Sequence, residues 1–323
     1  MSNNINDLSI KNDIFPFFNY TLNDITKFKL LNAFNYPLKN KEEIYLTQNI
    51  LKGFIQNLNN IKEYNYSKIY FHQVYDFLNQ SSYEELDVTK LELILSSKTK
   101  NNLQAILIQI VSIFDRILNL FLKKLNQNLF PDSFNRDINT MIDFIASFNI
   151  EHYKSTRLNS ITDILNFSKK IIEHKNDFNS FYALIIQSEI YLSFAKGIVV
   201  HQFTFPEITE HEIEFKNLFH PLLKNPVAND IKIQQNVILL TGPNMSGKST
   251  FLKSVFLSVY LGHLGLAVPA KSAKFPFFDY FSISINQNDD LKSGYSHFMN
   301  EIISLKNTLI NHNEGKRCFV IFD

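Results

Sequence analysis

The chain has 323 residues, 45% of them hydrophobic, enough for two domains or for one domain and a helical arm, each with its own core, and its 32 basic and 31 acidic residues leave a formal charge of +1. That balance excludes a whole-protein electrostatic field as the basis of nucleic-acid binding, so any DNA contact must rest on local groups. A single cysteine, Cys318, excludes an intramolecular disulfide and a cysteine-built zinc site, and Met1 to Lys11 lacks the apolar run of a secretory signal, which together point to the cytoplasm.

From about Leu30 to Val199, apolar residues recur at helical spacing with Asn, Lys and Ser between segments, so this half is expected to be all-helical. Ile44 to Leu58, Ser67 to Leu78 and Phe181 to Ile198 are the clearest helices. Tyr70, Phe71, Tyr75 and Phe77 read as core rather than as a base-stacking platform, because no arginines interleave with them. Leu103 to Leu122 is long enough to cross a bilayer core. Asp115 and Arg116 would each cost about 2.5 to 3.5 kcal/mol in mid-span, so we expect a buried or amphipathic helix and no membrane partner. A loop over Phe130 to Asn135, with Pro131, Asp132 and Ser133, separates two further helices. The pairs Lys123–Lys124 and Lys169–Lys170 read as solvated helix faces.

After about Val200 the pattern changes to short β-rich runs: Gln202 to Phe205, Glu212 to Phe215, Val237 to Thr241, Tyr280 to Ile285 and Arg317 to Phe322. Helices over Lys248 to Gly262 and Ser296 to Asn311 alternate with them. This alternation predicts an α/β domain with a mainly parallel sheet, and a division into a helical domain over 1–200 and an α/β domain over 201–323.

The apolar run Asn236 to Thr241 leads into Gly242, Pro243, Asn244, Met245, Ser246, Gly247, Lys248, Ser249 and Thr250, followed by an amphipathic helix. Strand, Gly-x-x-x-x-Gly-Lys-Ser, helix is the pattern of a nucleotide-binding P-loop. Glycines let the backbone wrap a phosphate, and the helix N-terminus presents amides and a partial positive charge to it. Lys248 is expected to reach the terminal phosphates of ATP, and the Ser249 hydroxyl to serve Mg²⁺, which takes hard oxygen ligands. Asp323 closes a second apolar run, Cys318 to Phe322, in the form of a Walker-B strand, which places its carboxylate as a second group for Mg²⁺. The nine histidines show no metal-ligand spacing.

Thr241 to Thr250 (TGPNMSGKST), Gly265 to Ala270 (GLAVPA) and Asp289 to Ile302 (DDLKSGYSHFMNEI) resemble, in order, the P-loop and downstream motifs of the MutS family of DNA-transacting ATPases. Upstream, Phe219-His220-Pro221 and Pro226 to Asp230 resemble that family's approach to the nucleotide domain. Asp24-Ile25-Thr26, Pro37-Leu38 and Glu43-Ile44 are similar to its helical core. The resemblance implies an α-helical N-terminal core and lever domain followed by an α/β P-loop ATPase domain of the ABC type, incomplete at its C-terminus. It implies ATP and Mg²⁺ as cofactors, held by residues 242 to 250 and, for the metal, Ser249 and Asp323. Asn244 and Lys248 would face the γ-phosphate. His220 and Val227 lie where the base or ribose would be met, and Gly294 and Ser296 belong to a signature loop that would meet the ATP of a partner subunit. A second copy or a MutS-like chain is the implied partner.

The departures narrow the expectation. No segment before the helical half has room for a mismatch-reading domain. Phe205-Pro206-Glu207 spells the family's Phe-x-Glu wedge but sits at the start of the nucleotide domain. Too little chain separates the core matches for long levers and a DNA clamp. The adenine-stacking aromatic is replaced by Pro226 or Val227. After Asp323 the family continues with a glutamate that orients the attacking water, so no catalytic set is complete and no hydrolysis is expected of these residues alone. The expected protein is a reduced, MutS-like, DNA-associated ATPase whose nucleotide state controls dimer closure. Its DNA contact is weak and not mismatch-specific. Two other readings stay open: a non-hydrolysing nucleotide-binding adaptor, and an ABC-type ATPase that does not act on DNA.

Overall fold

A computed structural model describes residues 4–79, 86–243, 245–285 and 297–323. The chain divides into two compact units. One comprises Tyr20–Leu30 and Ile50–Ser193, the other Met1–Asn19, Leu31–Asn49 and Phe194–Asp323.

The helices up to residue 200 are α1 (Asp24–Ala33), α2 (Lys41–Asn57), α3 (Lys68–Asn79), α4 (Lys90–Leu95), α5 (Ser97–Arg116), α6 (Asp132–Ser147), α7 (Ile150–Thr156), α8 (Ile161–Glu173) and α9 (Phe178–Val200). Several begin where a side chain can satisfy first-turn amides. Thr89 and Glu92 form a reciprocal capping box on α4, Ser96 accepts from the Thr99 amide at α5, and Ser160 accepts from the Asp163 amide at α8. Asp132 and Ser133, expected in a loop, instead open α6 behind Pro131, whose φ of −62° already suits a helix start.

Helix α5 widens into a π-turn over Ile117–Phe121 and buries Ile117, Leu118 and Phe121. The two charges that argued against a membrane span have partners within the protein. Asp115 accepts from Lys154 at 2.8 Å and from Asn119 at 2.7 Å, and Arg116 donates to the Asn65 carbonyl at 3.1 Å. Ser97–Lys124 and Phe178–Val200 are both long and apolar enough to cross a membrane, yet at least half of each apolar window is buried inside the protein. Aromatics fill the core of this unit, where Phe114 meets Phe148 edge-on at 5.4 Å and Phe181 at 5.5 Å; of the four aromatics expected there on α3, Phe71 is buried, Tyr75 and Phe77 are half-buried and Tyr70 is exposed.

Among the described residues, the other unit holds six strands and two long helices, besides the ends of α1, α2 and α9 that fall in it. The strands are β1 (Glu207–Thr209), β2 (Ile213–Leu218), β3 (Asn229–Ile233), β4 (Ser272–Pro276), β5 (Tyr280–Ser284) and β6 (Cys318–Phe322), and the helices are α10 (Lys248–His263) and α11 (His297–Asn313). A four-stranded sheet has the order β1-β4-β2-β3, with β2 antiparallel to both β3 and β4 and only β1 parallel to β4. A separate parallel pair joins β5 to β6 in the register Tyr280↔Cys318 through Ser284↔Phe322.

The expected mainly parallel sheet is therefore corrected to one mixed and one parallel sheet. Two expected strands are also absent. Gln202 to Phe205 contributes a single bridge, Thr204↔Val268. Val237 to Thr241 forms no strand, and Val237 and Leu239 are 82% and 89% exposed. An apolar run becomes a buried strand only when a neighbour answers its backbone groups, and none among the described residues does so for this one. Strands β3 and β4 were missed because Asn, Asp and Lys interrupt their alternation.

Helix α10 is buried on every side from Ser254 to His263, and close approach makes glycine necessary at two points around it. A Cβ on Gly262 would lie 2.3 Å from the Phe275 ring, and one on Gly265, at φ +75°, would lie 2.6 Å from Thr47. His263 is fully buried. Its Nδ1 lies 2.7 Å from the Val259 carbonyl, while its Nε2 accepts the Phe278 amide at 2.9 Å. An accepting Nε2 requires the proton on Nδ1, so the ring is neutral, and burial pushes its pKa down to about 4.

Candidate phosphate-binding loop

Gly247 precedes α10 with φ +90°, a conformation that suits glycine, and no side chain caps the helix. The amides of Lys248, Ser249 and Thr250 therefore open the helix without intrahelical acceptors. The Lys248 ammonium folds back over the loop and donates to the carbonyls of Gly242 and Pro243, each at 2.9 Å. Ser246 closes the turn through its amide to the Pro243 carbonyl at 3.3 Å. At the end of β6, the Asp323 carboxylate accepts a hydrogen bond from the Ser249 hydroxyl across 74 positions of sequence. The loop thus brings a cation, helix-start amides, a hydroxyl and a carboxylate to one exposed place.

Ser249 and Asp323 are hard oxygen donors in contact with each other, a set that fits Mg²⁺. Gly242, Pro243, Met245, Ser246 and Thr250 are exposed along the same stretch, with Met245 at φ 63°. Asn244, Gly294 and Ser296 lie outside the described residues. His220 is partly buried, and burial first and the Lys253 ammonium second hold its pKa below the ordinary histidine value, against the pull of Asp13. Val227 stands exposed just before β3, and no described contact ties it to the loop.

The structure also shows polar groups that the sequence did not flag. Asn4 and Asp7 bond to β5 and its exit, and Glu189 sits buried among hydroxyl donors in the helical unit. Neither set has a local signal, since Asn4 and Asp7 lie in a polar stretch and Glu189 is one acid in an apolar helix.

The chain thus holds a helical unit and a unit of mixed strands and helices in which a P-loop sequence leads into a buried helix. Residues 238–323 match the family model of MutS domain V. The chain is 29% identical over 233 residues to the DNA mismatch repair protein MutS of Carboxydothermus hydrogenoformans, covering 65% of this chain and 27% of that protein. It is 30% identical over 230 residues to the protein of that name from Fusobacterium nucleatum, covering 65% and 25%. With the one from Bacillus thuringiensis strain Al Hakam it shares 37% over 149 residues, covering 43% and 16%. Over these segments the chain is similar to MutS proteins, and residues 238–323 to their domain V. The matched segment spans about a quarter of the length of the first two relatives.

Proposed function

We propose that this chain binds Mg-ATP at residues 242 to 250, and that its nucleotide state controls pairing with a second copy or MutS-like chain and contact with DNA. The observation that carries this reading is the meeting of Ser249 with Asp323 beside the Lys248 ammonium. Sequence distance makes that meeting uninformative locally, and chemistry makes it apt. Lys248 would exchange its two carbonyl partners for phosphate oxygens, a charge-assisted and stronger contact. The helix-start amides would donate to the remaining phosphate oxygens. Ser249 and Asp323 would hold Mg²⁺, which supplies neutralisation of phosphate charge. The ABC-type ATPase fold and a role in DNA repair belong to the same proposal, supported by the match over residues 238–323, and so does a division into a helical 1–200 and an ATPase 201–323 domain, which that match does not reach.

The test is a fluorescent-nucleotide titration with Mg²⁺ on the parent chain and on Lys248→Ala. Loss of a charge-assisted phosphate contact costs about 1.5 to 3 kcal/mol, so affinity should fall about tenfold to a hundredfold. Equal affinity in both proteins would remove the assignment.

A further inference from the structure

Methionine is ordinarily a core-filling residue, unbranched and apolar. The chain has four. Met141, on α6, follows that rule at 1% exposed, Met299, on α11, is 43% exposed, and Met1 lies outside the described residues. Met245 departs from it. Inside the candidate phosphate-binding loop its side chain is 104% exposed, as open as in a free peptide, and its backbone stands at φ 63°. A non-glycine residue at positive φ is disfavoured, and no burial of the side chain offsets that cost here.

A thioether open to solvent is a nucleophile toward peroxides. Its sulfur attacks the O–O bond, which breaks; one oxygen stays on sulfur, and its proton passes to the departing hydroxide, so one sulfoxide and one water form. Sulfur is oxidised by two electrons and the peroxide is reduced by two. The thioether is a weak acceptor at most, whereas the sulfoxide is polar. Three residues on, the Lys248 ammonium donates to the carbonyls of Gly242 and Pro243 at 2.9 Å, and the amides of Lys248, Ser249 and Thr250 open α10 without a capping side chain. These are the donors that a phosphate would take. A sulfoxide on Met245 is an acceptor tethered to the same loop, and tethering gives it a high effective concentration against a free phosphate.

We propose that Met245 is an oxidative modification site, open to peroxides, and that its sulfoxide weakens nucleotide binding at the loop. This rests on the nucleotide binding proposed above and adds a covalent control that the loop motif does not itself require. The reversal is reduction of the sulfoxide by a methionine sulfoxide reductase, which takes two electrons from thiols and releases water.

The test treats the full chain with hydrogen peroxide in Mg²⁺ buffer and reads two quantities at intervals: sulfoxide at each methionine by peptide mass spectrometry, and affinity for a fluorescent ATP analogue. Met245 should oxidise at about the rate of free methionine, and Met141 at least about tenfold more slowly. Affinity should fall about threefold to tenfold in step with Met245 sulfoxide, the equivalent of one hydrogen bond, and return on treatment with the reductases and a thiol. Met245→Leu, titrated before and after peroxide and compared only with itself, should show no fall on oxidation. A fall as large as the parent's would move the effect to Met299 or Cys318 and overturn the proposal. So would undiminished affinity in a parent chain fully oxidised at Met245, or a Met245 that oxidises no faster than Met141. Where Met245→Leu binds too weakly to titrate, the repaired parent decides, and affinity that stays low once Met245 is again a thioether overturns the proposal. An untreated parent whose binding does not depend on Lys248 would bring down the nucleotide reading and this proposal with it, a result separable because it appears before any oxidant is added.

Discussion

The Tyr64 hydroxyl donates to Oε1 of Glu189 at 2.7 Å, inside a helical unit where that carboxylate has no cation partner among the described residues. Tyr66 donates to the same oxygen at 2.7 Å, and Thr26 and Asn23 donate to the other at 2.9 and 3.1 Å. Burial pushes the Glu189 pKa up, and the four donors pull it back. Because the donors come from two separate stretches of chain and Glu189 from a third, one carboxylate ties the start of α1, the segment before α3, and α9 together. Glu189→Ala leaves those donors bare and should cost on the order of 3 kcal/mol in urea unfolding. Glu189→Gln keeps one acceptor and should cost about half as much. A Glu189→Ala protein as stable as the parent would mean that the donors re-pair with water.

His263 gives a pH dependence of known sign. Its folded pKa, pushed down to about 4 by burial, lies below the ordinary histidine value of 6.5. The unfolded chain therefore takes up the proton first as pH falls, so the stabilisation present above the unfolded value is lost progressively down to the folded one. About 2 kcal/mol should disappear between pH 7 and 5, at roughly 1.4 kcal/mol per pH unit within the window. The measurement is urea unfolding at both pH values for the parent and for His263→Asn. The variant should be weaker at pH 7 and lose less on acidification, and an equal loss in both would assign the acid sensitivity elsewhere.

Gly265 combines a positive φ with contact at Thr47 and Leu38. Gly265→Ala adds backbone strain of about 1 kcal/mol or more and forces Thr47 to move, so a total loss of about 2 to 3 kcal/mol is expected in thermal or urea unfolding. Thr47→Ala, which opens space beside that Cβ, should return part of it. A neutral Gly265→Ala would show that the α10–β4 connection shifts freely.

For DNA, the near-zero net charge predicts weak, salt-dependent binding. Each phosphate contact adds about −0.9 to the slope of log affinity against log salt. Mismatch preference needs an apolar wedge held against a base step. In Phe205-Pro206-Glu207, the Pro206 carbonyl accepts Gln48 at 3.1 Å and Glu207 enters β1, so the segment is built into the sheet unit. Competition between matched and mismatched duplexes at two salt concentrations should give equal affinities. A tenfold preference for the mismatch would reveal a reading element that the motifs do not mark.

Local patterns determined much of this protein from sequence alone. The 3.6-residue spacing gave α2, α3 and α9 nearly to their ends, the apolar runs at 280 and 318 gave β5 and β6, and the loop letters from Gly242 to Ser249 gave the chemistry to look for. Each is encoded within a few turns of chain, where the backbone period itself sorts apolar from polar side chains. Tertiary structure decided what depends on distant partners. Asp7 meets the Ile285 amide 278 positions away, and Tyr64 meets Glu189 across 125. Val237 to Thr241 carries the composition of a strand but meets no described partner, whereas the polar Asn4 and Asp7 line a buried edge. A strand or a buried carboxylate exists only where other groups complete its hydrogen bonds, and no local pattern states which groups those are.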